Sequence, residues 1–243
     1  MAAMANRPIS IMHTNDFHGR LNDAGFERLK QIRNRTDLYF DCGDSIKTGN
    51  LGISLKPDPV WGQLEQLECT ASVPGNRESH ILRSAFEAKV AGHSHPILCA
   101  NMFDREGQLV LPPSQEFDLE GIRIGVFGVM VPMVTKRMKS APLSQFIWTP
   151  PIEAAQDKAK ELRPRCDLLI ALTHIGHRQD QVLAEASPGI DLILGGHSHT
   201  SIPFPEQIGR TWIAQAGSHA RYCGRYVWTV GAGITEADLI PVG

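Results

Sequence analysis

The sequence lacks a cysteine motif, a long apolar run and an excess of charge of one sign. Its five cysteines are scattered without a Cys-x-x-Cys pair, which disfavours disulfides or a thiolate zinc site and favours a reducing compartment. No apolar run is long enough for a signal peptide or a bilayer-spanning helix, so we expect a cytoplasmic protein without a membrane partner. The formal net charge of -2 supplies no basic field, and we expect no nucleic-acid partner.

The remaining composition is typical of a globular protein, with 42% hydrophobic and 21% charged residues. The length of 243 residues suits one sizeable α/β domain, and we predict a single domain over residues 1–243. Apolar runs that end in polar loops alternate with amphipathic segments, a pattern that favours a sheet with helices outside. The predicted strands span 9–13, 38–40, 69–73, 96–100, 122–131, 167–173, 191–194, 211–214, 224–230 and 236–241. The predicted helices span 26–35, 60–67, 77–90, 151–162 and 179–186.

Polar side chains that can bind metal ions follow five of the predicted strands. Because ligands gather at the carboxyl ends of strands in open α/β sheets, we expect these side chains to meet at one edge. They are two carboxylates, four imidazoles and one amide: Asp16, His18, Asp44, Asn76, His174, His197 and His199. Seven ligands are too many for one first-row ion and suit two adjacent ions.

The ligand types also limit the choice of metal and substrate. Carboxylate, imidazole and amide donors suit divalent cations, and we expect two Mn²⁺ ions, with Zn²⁺, Fe²⁺ or Fe³⁺ and Co²⁺ as alternatives. Two such ions outweigh the charge of two carboxylates, so the site would attract a small phosphorylated substrate. A pair of ions can also lower the pKa of a water molecule and clamp phosphoryl oxygens.

Five motifs, in this order along the chain, resemble the calcineurin-like metallophosphoesterases and, within them, the 5′-nucleotidase branch. They are His13-Thr-Asn-Asp-Phe-His-Gly19, Asp41-Cys-Gly-Asp44, Gly75-Asn-Arg-Glu78, Ala171-Leu-Thr-His-Ile-Gly176 and Asp191-Leu-Ile-Leu-Gly-Gly-His-Ser-His-Thr200. The resemblance implies a four-layer α/β/β/α sandwich that hydrolyses phosphate esters through a metal-bridging hydroxide. It implies a first ion on Asp16, His18, Asp44 and His199, and a second on Asp44, Asn76, His174 and His197. Asp44 would then be the catalytic bridge.

The sequence departs from the family pattern at Arg77, where the family has a histidine that can assist the leaving group. A guanidinium stays protonated and is a poor general acid, but it can bind phosphoryl oxygens and stabilise transition-state charge. We therefore predict a catalytic role for Arg77 through electrostatics alone.

The sequence also departs from the family in length. Two-domain 5′-nucleotidases carry a C-terminal domain that binds the nucleoside, and this sequence ends where that domain would begin. Nucleotide specificity therefore does not carry over.

Two other functions remain open from the sequence. The closest enzymatic alternative is a phosphodiesterase or nuclease. The alternative from another class is a non-catalytic metal-binding scaffold, which Arg77 favours and the complete ligand set opposes. The oligomeric state cannot be read from the sequence.

Several neighbouring residues have ordinary structural interpretations. Asn76 precedes a predicted helix and could be its N-cap. Glu78 is expected to have a structural role, while Asp41 could orient the site or merely end a strand. We interpret His13 as a core histidine. The Gly92-His-Ser-His95 segment has the same sequence as the ligand motif Gly196-His-Ser-His199, but it follows a helix and is not expected to bind metal.

Overall fold

The computed structural model describes residues 7–243, whose buried apolar strands form two sheets and a small ribbon. The first sheet has five strands, numbered in chain order. Their spatial order is β13 (Gly233–Pro241), β12 (Tyr222–Thr229), β1 (Ile9–Thr14), β2 (Leu38–Asp41) and β3 (Ala71–Ser72). Strands β1, β2 and β3 run parallel, so their carboxyl ends lie at the same edge of this sheet.

The second sheet has six strands and also contains a parallel group. Its spatial order is β10 (Glu206–Ile208), β11 (Thr211–Gln215), β9 (Leu192–Gly195), β8 (Leu168–His174), β6 (Ile122–Met130) and β5 (Ser114–Leu119). Strands β6, β8, β9 and β11 are parallel to one another. A separate antiparallel ribbon pairs β4 (Met102–Asp104) with β7 (Phe146–Trp148).

Helices cover the sheets because each has one apolar face. They are α1 (Asp23–Arg33), α2 (Pro59–Gln66), α3 (Arg83–Val90), α4 (Pro151–Leu162) and α5 (His177–Ala186), with 3₁₀ turns at Ala141–Leu143 and Arg163–Arg165. Side chains alternate along β8: Leu168 and Ile170 belong to the core shared with the first sheet, whereas Leu169 packs with α4 and α5. The layers are therefore α/β/β/α.

Two predicted elements are wrong in part. The helix predicted over 77–90 begins only at Arg83, because residues 76–78 form a turn in which the Glu78 carboxylate accepts backbone N–H groups. The strand predicted over 96–100 is reduced to one bridge between Ile97 and Ser72. Among residues 7–243, no helix has the length and apolar character needed to cross a bilayer.

Candidate metal centre

The ligand-bearing loops follow parallel strands of both sheets and converge between them. His174 is the last residue of β8, and the other predicted ligands stand in the loops that follow β1, β2 and β9 and in the Gly75–Glu78 turn after β3. All seven side chains predicted to bind metal lie in one contiguous cluster: Asp16, His18, Asp44, Asn76, His174, His197 and His199. The structure therefore brings together residues that are up to 183 positions apart in the sequence.

Three of these side chains form a first donor set. The Nε2 atoms of His18 and His199 lie 2.8 Å apart. The Oδ1 atom of Asp16 lies 3.5 Å from His18 Nε2 and 3.3 Å from His199 Nε2. A triangle of two imidazole nitrogens and one carboxylate oxygen at such spacings can close around one cation, since metal–ligand bonds of roughly 2.0–2.2 Å put neighbouring ligands about 3 Å apart.

Four other side chains form a second donor set. Asn76 Oδ1 lies 3.3 Å from His174 Nε2 and 3.0 Å from His197 Nδ1. Asp44 Oδ1 lies 3.6 Å from the same His174 nitrogen. These four residues are the ones that the family resemblance groups around the second ion.

The two carboxylates, one from each donor set, lie where the sets meet. Asp44 Oδ2 approaches His18 Nδ1 to 3.9 Å, while its Oδ1 faces His174, so the carboxylate reaches toward both sets. Asp16 also has an oxygen within 4.8 Å of donor atoms of Asp44 and His174. Either carboxylate is placed to join two ions, and the bridging role of Asp44 stays a prediction.

The chemistry of the cluster fits a cation. Asp16 Oδ1 and His18 Nδ1 are buried and have no hydrogen-bond partner, a costly arrangement that a bound cation beside Asp16 would relieve. Burial raises the pKa of Asp44. Burial, together with the charge of Arg77, lowers the pKa of His18 to about 3, so its ring stays neutral and able to donate electron pairs.

The backbone of the cluster adopts an uncommon conformation. Five of the seven residues have positive φ angles: Asp16 (54°), His18 (52°), Asp44 (54°), His197 (78°) and His199 (56°). Left-handed backbone disfavours side chains with a Cβ atom, so the loops hold these residues under strain. Bonds between the loops maintain this geometry, from Asp16 N to Gly43 O and from His18 N to Asp44 O, both 2.9 Å.

A buried carboxylate behind the cluster organises two of the ligand loops. Glu78 Oε1 accepts hydrogen bonds from the backbone N–H groups of Ser45 and Ile46, and Oε2 accepts from those of Asp44 and Gly75. Glu78 does not pair with Arg77, so it fits the structural role expected from the sequence. The loops are also in direct contact, because a Cβ atom on Gly75 would lie 2.2 Å from Asp44 Oδ1.

Three further hydrogen bonds fix the ring of His174 and the loop that carries Asp44. His174 Nδ1 lies 2.6 Å from the carbonyl oxygen of Cys42, to which it donates, leaving Nε2 to face Asn76 and Asp44. Asp41 accepts hydrogen bonds from the hydroxyls of Thr14 and Ser45 and so ties β1 to the loop after β2.

The turn at residues 76–78 changes two interpretations. Asn76 is not an N-cap, because α3 begins at Arg83 after residue Leu82. Arg77 donates its backbone N–H to Asp44 Oδ1 at 2.7 Å, and its guanidinium Nη1 donates to Lys47 O at 2.8 Å. Burial lowers the pKa values of His18 and His219, and the guanidinium charge of Arg77 adds to both shifts.

A further histidine, for which the sequence favours a plain loop role over contact with substrate, lies beside the cluster. The ring of His219 lies 4.9 Å from that of His18 and 5.5 Å from that of His199, and its backbone N–H donates to Asp16 O at 2.7 Å. The sequence signal for His219 was its position in the loop after the strand predicted over 211–214, as for the other histidines of the cluster. By contrast, His13 is fully buried as expected, and His95 hydrogen-bonds to Ser72 away from the cluster.

A two-sheet sandwich with this donor-rich edge has the architecture of the metallophosphoesterases. The chain belongs to the calcineurin-like phosphoesterase family, phosphoester-hydrolysing enzymes, whose family model matches residues 9–201. The predicted family is thereby confirmed.

Individual relatives agree with this assignment. The chain is 27% identical to the trifunctional nucleotide phosphoesterase protein YfkN of Bacillus subtilis, over 89% of this chain and 18% of that protein. It is 25% identical to a 5′-nucleotidase of Vibrio vulnificus, over 99% of this chain and 53% of that protein. The NAD nucleotidase structure of Haemophilus influenzae superposes with a TM-score of 0.76 at 18% identity, covering 96% of this chain and 55% of that one, which confirms the predicted fold. The chain spans about half, or less, of the length of these relatives.

Proposed function

We propose that this chain hydrolyses phosphate monoesters with the help of two divalent cations, for which we expect Mn²⁺. The observation that carries the proposal is the arrangement of seven donor side chains in two adjacent sets, which meet at the Asp16 and Asp44 carboxylates. A mononuclear site would need only one such donor set. Two adjacent sets support a binuclear site, and such a site favours an anionic substrate.

Each part of the cluster has a distinct role in this proposal. Asp16, His18 and His199 would hold one ion, and Asn76, His174 and His197 the other, with Asp44 between them. When bound, two such ions supply an activated water as nucleophile and neutralise charge on the phosphoryl group. Arg77 would bind phosphoryl oxygens through its guanidinium and stabilise the charge that builds up in the transition state.

The relatives support nucleotides as the first substrates to examine. A 5′-nucleotidase and a nucleotide phosphoesterase are among the proteins that this chain resembles. We propose a small phosphorylated compound of this kind as the substrate. Comparing kcat/KM for 5′-AMP and ribose 5-phosphate tests whether the base contributes to recognition, because both compounds present a primary 5′-phosphate.

The decisive experiment measures hydrolysis of p-nitrophenyl phosphate and bis-p-nitrophenyl phosphate by metal-stripped protein, with and without Mn²⁺. Asp44→Ala should abolish turnover, whereas Asp157→Ala, on the exposed side of α4, should leave it unchanged. Preference for the diester would indicate a phosphodiesterase. Absence of turnover with Mn²⁺, Zn²⁺, Co²⁺ or Fe²⁺, in folded protein that binds metal, would support the non-catalytic scaffold.

A further inference from the structure

The side chain of Lys89 on α3 is fully buried, and its ammonium group contacts only backbone carbonyls. Nζ donates to Gly49 O at 2.9 Å, Asn50 O at 3.0 Å, Arg77 O at 2.7 Å and Ser79 O at 3.1 Å. Within residues 7–243, no carboxylate forms a salt bridge with it. Lysine is almost never fully buried unless it is paired, so this arrangement calls for a physical explanation.

The four carbonyls belong to two segments that meet at the metal centre. One is the loop at residues 47–50 after β2, and the other is the turn at residues 76–79 that carries Asn76 and Arg77. The same segments are joined by Asn76 Nδ2, which donates to Asn50 Oδ1 at 2.9 Å, and by the bond from Arg77 Nη1 to Lys47 O. The ammonium therefore holds the buried side of the 76–79 turn, while the opposite side of the turn carries the side chains of Asn76 and Arg77.

This contact has a direct consequence for the second donor set. The Asn76 side chain makes its Nδ2 bond to Asn50 and so directs Oδ1 toward His174 and His197. If the loop moved away from the turn, that amide would lose its partner and its orientation. A hydrophobic residue could fill the space of the Lys89 stem, but it could not bring the carbonyls of two segments to one point.

The cation is retained despite the free-energy cost of burial. Burial lowers the pKa of Lys89 to about 8, while the charges of Glu78 and Asp44 oppose this shift. The four carbonyl dipoles replace water around the ammonium, and they account for the burial of a charged group without a counter-ion.

We propose that Lys89 is a positioning residue that holds the 47–50 loop against the 76–79 turn and thereby orients Asn76 and Arg77. Its effect on metal binding rests on the proposed function, whereas its effect on the two segments does not. The two effects can therefore be measured separately.

The test uses the full chain with Lys89→Met, which keeps an unbranched side chain but removes the charge and all N–H donors. The matched control is Arg105→Met, because Arg105 also donates to backbone carbonyls, those of Ser144 and Ala141, without contacting the ligand loops. Amide hydrogen exchange of metal-free protein measures the segments, and calorimetric titration with Mn²⁺ measures the affinity of each ion. If Lys89→Met does not fold, Lys89→Gln replaces it.

In Lys89→Met we expect exchange to be at least tenfold faster at residues 47–52 and 75–79 than in the wild type, with little change on β8. We expect the affinity for one Mn²⁺ ion to fall at least tenfold and that for the other by less than threefold, since only one donor set contains Asn76. Arg105→Met should change neither quantity at these segments.

Unchanged exchange at both segments would overturn the proposal, whatever the activity of the protein. Equal losses of affinity for both ions, or the same changes in Arg105→Met, would also overturn it, because they would indicate general loosening of the fold. If wild-type protein binds fewer than two ions, the proposed function fails, and the exchange measurement still decides the role of Lys89.

Discussion

The backbone N–H of Arg77 donates a 2.7 Å hydrogen bond to Oδ1 of Asp44, the carboxylate that lies between the two donor sets. This main-chain hydrogen bond helps to hold residue 77 at the site and does not require the guanidinium. The same backbone contact can therefore form when another side chain replaces that of Arg77.

Arg77→His should selectively accelerate hydrolysis of alkyl phosphates. An alkoxide leaving group needs a proton, which imidazole can supply and a guanidinium cannot, whereas p-nitrophenolate leaves without one. We expect the ratio of kcat/KM for glycerol phosphate to that for p-nitrophenyl phosphate to rise by about tenfold or more. Arg77→Ala, the control, should lower both values without raising their ratio. An unchanged ratio in Arg77→His, with chemistry rate-limiting, would contradict the prediction.

Glu78→Gln should loosen both loops that Glu78 supports. The carboxylate accepts four backbone N–H groups, and an amide would keep one accepting oxygen and turn an NH₂ group toward two donors. We expect the free energy of unfolding in urea to fall by about 2–3 kcal/mol and Mn²⁺ affinity to fall with it. Glu185→Gln, on an exposed position of α5, is the control. Wild-type stability in Glu78→Gln would show that these hydrogen bonds contribute little.

Metal binding should stabilise the folded protein. A ligand at about 100 times its Kd adds about 2.7 kcal/mol per site, equivalent to a Tm increase of roughly 5–10 °C for a chain of this size. Mn²⁺ should therefore raise Tm, and EDTA should reverse the increase. His18→Gln and His174→Gln, one from each donor set, should each reduce the shift, whereas His177→Gln should preserve it. An equal Mn²⁺-induced increase in Tm in the wild type and all three variants would show that the ions bind at another site.

His95 should make the fold sensitive to acid. Burial, together with the nearby His93, lowers the pKa of His95 from 6.5 to about 4. The neutral ring therefore favours folding above pH 6.5, and this contribution is lost as pH falls through about 4. Its size is at most about 3 kcal/mol.

His95→Gln should flatten the decline in unfolding free energy of metal-free protein between pH 6.5 and 4, measured by denaturant titration. The neighbouring His93 is exposed, so His93→Gln should keep most of the decline. Parallel curves for His95→Gln and the wild type would refute this assignment.

The sequence predicted the strands and the ligand cluster because both depend on short-range patterns. An apolar strand followed by a polar loop occurs at Ile9–Thr14, Leu38–Asp41 and Leu168–His174, and the ligands stand in those loops. The helix start at Arg83 was missed because the preceding residues look helical locally. Their turn is fixed by Glu78, whose partners Asp44 and Ser45 lie more than 30 residues away.

The burial of Lys89 also depends on residues that are distant in the sequence, and it could not be predicted from local patterns. On α3 it looks like an ordinary exposed helical lysine, and no local pattern marks it as buried. Its surroundings come from carbonyls at positions 49, 50, 77 and 79, which only the tertiary fold brings together.

The left-handed backbone at five ligand positions has an evolutionary consequence. At each of these positions the left-handed conformation costs about 1 kcal/mol more than it would for glycine, and asparagine tolerates it better than most residues. Replacing His18 or Asp16 with asparagine or glycine would therefore ease the backbone while it destroys the centre. A sequence selected for stability alone would therefore not retain histidine and aspartate at these five positions.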